Sequence, residues 1–321
     1  MKQVEHLLGY RASIKVMDAT LRDGGLVNDF YFTDEFVKAL YEANLKAGVD
    51  YMEMGYRASK KVFDETKFGK WKFCSDDHIR EIVGENDTDL KLAIMADIGR
   101  HDKNDFDEKV NSPVDMVRVA AYIHQMPEAI DMIEDAHKKG YETTCNIMAI
   151  SQTQESDLKV ALDMLGKTPV DTIYIVDSFG SIYPEEMKRI VDIYMEAATK
   201  YGKQLGVHAH NNQQLAFANT IEACGDGVNW LDATYKGMGR GAGNCAMELL
   251  LGFLKNPKYN TYPVFRFISD YMVKLEEDGV VWGYDLQYLM TGQLNQHPRA
   301  AIKFTKDKRK DYAEFYKELI V

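Results

Sequence analysis

IKVMDATLRDGGLVNDFYFTDEFVKALYEANLKAG, residues Ile14 to Gly48, reads as one strand followed by one helix. The opening run, Ile14 to Leu21, is short and apolar and matches a buried strand. Thr33 with Asp34 and Glu35 behind it suits an N-cap and first turn, and Gly48 suits the left-handed residue that closes a helix. The same alternation recurs to about residue 255. Further strands are expected at Asp50–Met54, Leu90–Met95, Met116–Ala121, Glu142–Ile150, Asp171–Val176, Gln204–His208 and Val228–Ala233. A helical pattern runs from Pro127 to Lys139, and Pro184 can open another at its first turn.

Eight strand-helix units in a row predict a parallel sheet with helices outside, and eight is the number that closes a barrel. An open doubly wound sheet is the rival arrangement. The unit between the second and third strands, Gly55 to Asp89, is the longest and is expected to carry a loop over the mouth. From about residue 258 the repeat runs out: Pro263–Asp278 and Lys308–Leu319 read as helices with no strand between them. The chain of 321 residues is therefore expected to be an α/β protein. Residues 1–257 would form a TIM (β/α)₈ barrel and residues 258–321 a small C-terminal helical extension, docked because no low-complexity linker separates them.

Composition narrows the partners. A net charge of −11 argues against nucleic acid, which needs a basic stripe. The one basic run, Lys303 to Lys310, reads as a solvated helix face. The start, MKQVEHLLGY, lacks the apolar core of a signal peptide, and no stretch reaches the ~18 apolar residues of a membrane span. Cys74, Cys145, Cys224 and Cys245 form no C-x-x-C pair and are expected as free thiols in a cytoplasmic protein.

Barrel active sites lie at the C-terminal ends of the strands. That rule selects Arg22 and Asp23, Glu53, Asp97, Asp177 and Ser178, His208-Ala209-His210-Asn211, and the loop Gly237 to Asn244 (GMGRGAGN). Residues two apart on a strand share a face, so His208 and His210 can grip one ion. Asp23 from the first strand, odd like the seventh, can approach them in one inward layer. Two imidazoles and a carboxylate with open positions suit Mn²⁺, Mg²⁺, Zn²⁺ or Fe²⁺. Arg22 can stabilise an enolate oxygen beside that ion, or form a rim salt bridge. Glu53 can orient Arg22 or move a proton. The glycines either cradle a phosphate or let Asn244 reach the ion or substrate.

Asp18-Ala19-Thr20-Leu21-Arg22-Asp23-Gly24 resembles the D-x-T-L-R-D-G signature of the DRE-TIM metallolyases. This superfamily includes 3-hydroxy-3-methylglutaryl-CoA lyase, 4-hydroxy-2-oxovalerate aldolase, and the isopropylmalate and homocitrate synthases. His208 to Asn211 is similar to its H-x-H-N, and Gly239 to Asn244 to its glycine-rich loop. Three motifs in order span residues 14–255. The resemblance implies a divalent ion, Mn²⁺ or Mg²⁺ first and Zn²⁺ next, on Asp23, His208 and His210 with Asn244 as a further ligand. It implies Arg22 as enolate stabiliser and Glu53 as the strand-two glutamate.

The aldolase branch is the nearest, since it too carries a helical extension. From it come Ser178 near the substrate and Tyr284 lent by the extension, with Tyr288 as the neighbouring candidate. Asp97, Asn28, Gly239 and Gly241 are assigned to substrate binding. The implied reaction cleaves a 4-hydroxy-2-oxo acid to pyruvate and an aldehyde. The alternatives are a Claisen-type acyl-CoA synthase or lyase, and a barrel that binds a 2-oxo acid without turnover. A homodimer and an aldehyde dehydrogenase partner are further implications of the branch. One position departs from it: the aldolases place a histidine base three residues after the metal aspartate, where this chain has Leu26. The synthases' Glu-Gln is replaced by Gly25-Leu26. Asn28, Asp29, Asp97, Tyr284 or a bound water remain as proton carriers.

Overall fold

Asp18 decides where the first strand stops. In the computed structural model, which describes residues 12–102 and 105–321, Asp18 Oδ1 accepts the Thr20 amide at 2.9 Å and the Thr20 hydroxyl at 2.5 Å. A carboxylate that captures the amide two residues on turns the chain. Strand β1 is therefore Lys15–Asp18, and Thr20–Gly24 forms a single helical turn, α1. The expected strand through Leu21 is too long, and Arg22 and Asp23 stand on that turn instead. The decapeptide read for a leader lies outside the described residues.

The other strands are β2 (Tyr51–Tyr56), β3 (Lys91–Asp97), β4 (Met116–Ala121), β5 (Glu142–Ile147), β6 (Thr172–Asp177), β7 (Gln204–Ala209) and β8 (Trp230–Ala233). All pair in parallel and in sequence order, and β8 closes onto β1 through Lys15↔Trp230 to Asp18↔Ala233. The closed eight-stranded barrel excludes the open-sheet alternative. The fifth strand was expected to reach Ile150; it ends at Ile147, and Ala149 follows in the left-handed region at φ 53°.

Helices fill the outer layer: α2 (Asp34–Ala47), α3 (Asp76–Val83), α4 (Met126–Lys138), α5 (Glu155–Gly166), α6 (Pro184–Tyr201), α7 (Ala216–Gly225) and α8 (Met247–Leu254). In α2 the Thr33 hydroxyl accepts the Phe36 amide at 3.1 Å, and Gly48 closes the helix at φ 74°. Inside the barrel, Met17, Tyr51, Ala93, Met116, Tyr174, Val176 and Trp230 pack together. Gly206 makes room for that filling, because a Cβ there would lie 2.5 Å from the Tyr174 ring.

The extension is more helical than expected. A helix over Tyr262–Glu277, α9, passes through a π turn at Ile268–Met272. Then come α10 (Leu286–Gln293), α11 (Arg299–Lys306) and α12 (Tyr312–Ile320). The last begins after Lys308, which breaks the helix at φ 54°. Tyr288, Ala301, Phe304 and Phe315 form a small second core with Ala242 of the glycine-rich loop, which ties the extension to the mouth. The basic run is a solvated helix end: Lys303 pairs with Asp307, and Arg309 with Asp311 and Glu318. The four cysteines are buried and form no disulfide with one another. No helix among the described residues is long and apolar enough to cross a membrane.

Candidate metal centre

Strand β7 ends with His208 pointing inward, and His210 follows just past it. Turn α1 brings Asp23 against both. One ligand atom from each residue lies within 4.8 Å of the others, and all three are buried. Second partners fix the imidazoles. His208 Nδ1 is 3.0 Å from Asp232 Oδ2, and His210 Nδ1 is 3.3 Å from the Gly243 carbonyl. Both partners only accept, so each Nδ1 carries the proton and each Nε2 presents a lone pair. Those lone pairs face Asp23 Oδ2 at 3.3 and 3.8 Å.

Such a meeting of acceptors suits a shared cation, a proton or a metal ion. His208 Nε2 and Asn244 Oδ1 are buried without a hydrogen-bond partner among the described residues. Burial holds His210 well below the ordinary histidine range, hence neutral as a ligand must be. Burial alone would raise Asp23, but Arg22 and the two histidines keep its carboxyl well below the usual range. Burial disfavours a charged His208 too, yet the Asp23 and Asp232 carboxylates outweigh it and favour a proton there. A divalent ion would take that proton's place. The donor set of two imidazoles and carboxylate oxygen suits such an ion.

A buried charge network lies beneath the three ligands. Arg22 Nε donates to Glu53 Oε2 at 2.8 Å, and its Nη1 donates to Asp23. Arg118 stands 2.9 Å from Glu53 and donates to Asp232 at 2.6 Å, with Tyr174 stacked under its guanidinium. Two guanidiniums face three carboxylates here, leaving one negative charge for a cation to offset.

A cavity of about 60 Å³ opens above the site. Arg22, Asp23, Leu26, Tyr56, Asn146, Met148, Ser178, His208, His210 and Arg240 contribute to its lining. That volume holds a ligand of a few heavy atoms. Asp23, His208, His210, Arg22 and Ser178 are thus brought together. Glu53 lies below Arg22 and outside the cavity. Asn244 sits beside Asp23: a Cβ at Gly239 would overlap Asn244 Nδ2 and lie 2.8 Å from Asp23 Oδ1. The glycine-rich loop wraps Asp23 closely, and the Arg240 amide donates to Asp23 Oδ1 at 2.9 Å. This favours the reading in which the glycines permit close approach. Gly241, at φ 64°, packs under the Tyr288 ring.

Three selected residues stand elsewhere. Asn28 is spent within its own turn, accepting from Phe30 and donating to Tyr31. Asp97 lies outside the cavity, facing Arg100 at 3.5 Å. Tyr284 is 43% exposed and does not line the cavity, because Gly283 and Asp285 carry it along the surface ahead of α10. Tyr288 is buried, but its hydroxyl pairs with Thr305. From the long β2–β3 unit, Tyr56 lines the cavity, and Lys72 sets its ammonium 4.4 Å from that ring's centroid. The reading from sequence missed Arg118, Asp232, Tyr56 and Arg240. Asp232 lies on β8 opposite His208, where the period of an inward strand position would have found it. Arg240 was inside the quoted loop but was read for its glycines.

Comparison with known proteins places this geometry. The HMGL-like family model matches residues 13–268. The 4-hydroxy-2-oxovalerate aldolase of Thermus thermophilus is 30% identical over 247 residues, 76% of this chain and 70% of that one. The oxaloacetate decarboxylase of Mycobacterium tuberculosis is 27% identical over 241 residues, 75% and 69% of the two chains. The N-terminal domain of a putative aldolase from Bacteroides vulgatus superposes with a TM-score of 0.74 at 28% identity, covering 91% of this chain and 97% of that one. With its barrel, its aspartate-histidine centre and a family match over most of its length, the chain belongs to the HMGL-like family.

Proposed function

We propose that the protein cleaves a 4-hydroxy-2-oxo acid such as 4-hydroxy-2-oxovalerate to pyruvate and an aldehyde, and joins them in reverse. One observation carries the reading: three groups suited to a shared cation converge beside a locked arginine and line one cavity with it. Asp23, His208 and His210 would hold the divalent ion, with Asn244 Oδ1 as a further donor and Mn²⁺ or Mg²⁺ the best fit. The ion supplies Lewis acidity at the 2-oxo group. Arg22 meets the negative charge that develops on the enolate oxygen, its guanidinium held by Glu53 and Asp23 so that little reorganisation is needed. Ser178 borders the same cavity. The resemblance also carries a homodimer and an aldehyde dehydrogenase that consumes the product.

Outside the metal set, Tyr56 and Ser178 are the cavity residues with an exchangeable hydroxyl proton. Burial and Asp97 push the Tyr56 phenol above its ordinary value, which keeps it protonated, and its place in the cavity lining makes it the candidate donor to the enolate carbon. Tyr56→Phe is expected to lower kcat by roughly 10²-fold with metal content unchanged. Undiminished kcat would remove Tyr56 from the mechanism.

Leu26 favours a second reading. It lines the cavity where a base would remove the 4-hydroxyl proton. Loss of CO₂ from a 2-oxo acid bearing a 4-carboxylate reaches the same enolate without that step, and the Mycobacterium tuberculosis relative bears the name of that reaction. Mn²⁺-loaded protein given 4-hydroxy-2-oxovalerate is expected to release pyruvate and acetaldehyde. CO₂ from oxaloacetate without aldol cleavage would favour the second reading. CoA released from acetyl-CoA and a 2-oxo acid would favour a synthase instead, and no turnover of any of them a binding barrel.

A further inference from the structure

Arg240 is the one cavity-lining guanidinium without a carboxylate partner among the described residues. Arg22, across the same cavity, is paired twice. The Arg240 side chain donates from Nη2 to the Ser178 carbonyl at 2.6 Å; Nη1 lies 3.5 Å from His297 Nε2, which carries the ring proton because Nδ1 accepts the Arg299 amide, so that contact satisfies neither group. Its Nε is buried and has no hydrogen-bond partner among the described residues. A half-buried guanidinium with a desolvated, unsatisfied N–H is costly unless an anion completes it. The backbone amide of the same residue donates to Asp23, which roots the side chain beside the ion site. His297, half-buried and tilted at 60° to the Phe179 ring, is held to a pKa of about 4 by burial and by the Arg240 and Arg299 cations, so it adds no competing charge.

We infer that Arg240 binds a second carboxylate at the far end of the substrate, so that the preferred substrate is a dicarboxylic 2-oxo acid. The inference rests on the lyase reading above for the first carboxylate and the 2-oxo group, which belong at the ion and Arg22. The side chain runs from the ion site to the β6 loop, spanning the mouth where the rest of a bound 2-oxo acid would emerge. A carboxylate paired with a guanidinium is stabilised against leaving as CO₂. Arg240 therefore fits one that stays on the fragment released by C–C cleavage, which supports the aldol reading over decarboxylation.

Unreactive chelators test this without turnover. Malate and 2-hydroxybutyrate offer the same hydroxy-carboxylate to the ion and differ at the far end, carboxylate against methyl. Titrated calorimetrically into Mn²⁺-loaded protein, malate is expected to bind about 10- to 100-fold more tightly, as befits a charge-assisted hydrogen bond. In Arg240→Met that preference should collapse to about threefold or less, and Arg240→Lys should restore part of it. A preference that survives Arg240→Met, or is missing from the wild type, overturns the inference. So does tighter binding of 3-phosphoglycerate than of malate, which would make the far group a phosphate. Selective malate binding in a protein that shows no lyase activity would overturn the lyase reading and leave the anion subsite standing. Lyase activity without the selectivity would do the reverse.

Discussion

His208→Ala is expected to leave the protein unable to retain its divalent ion through dialysis, and to reduce turnover on the order of 10³-fold. His208 is the ligand most tightly built into the fold. Asp232 sets its tautomer from one side, and its other nitrogen faces Asp23 from 3.3 Å with nothing else to bond. Removing the ring takes away one donor and also unties Asp232 from the centre. The lost transition-state stabilisation is then several kcal/mol, at tenfold in rate for each 1.36 kcal/mol. Metal per chain by elemental analysis and kcat on the same sample check both halves. Unchanged metal content would mean that the ligand assignment is wrong.

Arg118→Met is expected to be the most damaging substitution for stability. The side chain is fully buried and joins Glu53 to Asp232. Replacing it takes the guanidinium from Asp232, which keeps only His208 Nδ1, and leaves Glu53 with Arg22 alone, both carboxylates being buried. Breaking a buried pair in this way costs about 3–5 kcal/mol. Thermal or denaturant unfolding should show that loss, together with weakened metal binding, since Asp232 orients His208. A variant within about 1 kcal/mol of wild type would show that Arg22 and His208 suffice to hold the two carboxylates, against the usual cost of breaking a buried pair. Methionine rather than alanine keeps the volume, so a large loss cannot be assigned to a cavity.

Much of the fold was legible because a parallel barrel writes itself as a repeat. Eight apolar runs separated by capped helices leave few topologies, and Thr33 and Gly48 mark helix ends by local chemistry alone. Strand ends were less legible. Asp18 turns the chain through a hydrogen bond to Thr20, which a run of apolar letters does not reveal. The metal set was legible because His208 and His210 share a face and Asp23 stands near the end of an odd strand. The supporting charges were not: Arg118 and Asp232 are mid-strand residues whose partners lie 65 and 24 positions away in the chain. Tyr284 misled because a tyrosine just before a helix looks the same in sequence whether it faces the mouth or the solvent.

The central claim is that this metal centre generates the enolate of a small 2-oxo acid. It is tested most directly by exchange of the methyl protons of pyruvate for deuterium in D₂O, followed by NMR. Exchange should require Mn²⁺ or Mg²⁺, stop on chelation, return when the ion is restored, and be absent in His208→Ala. Loss of exchange in the metal-loaded wild type, or exchange indifferent to the chelator, would contradict it.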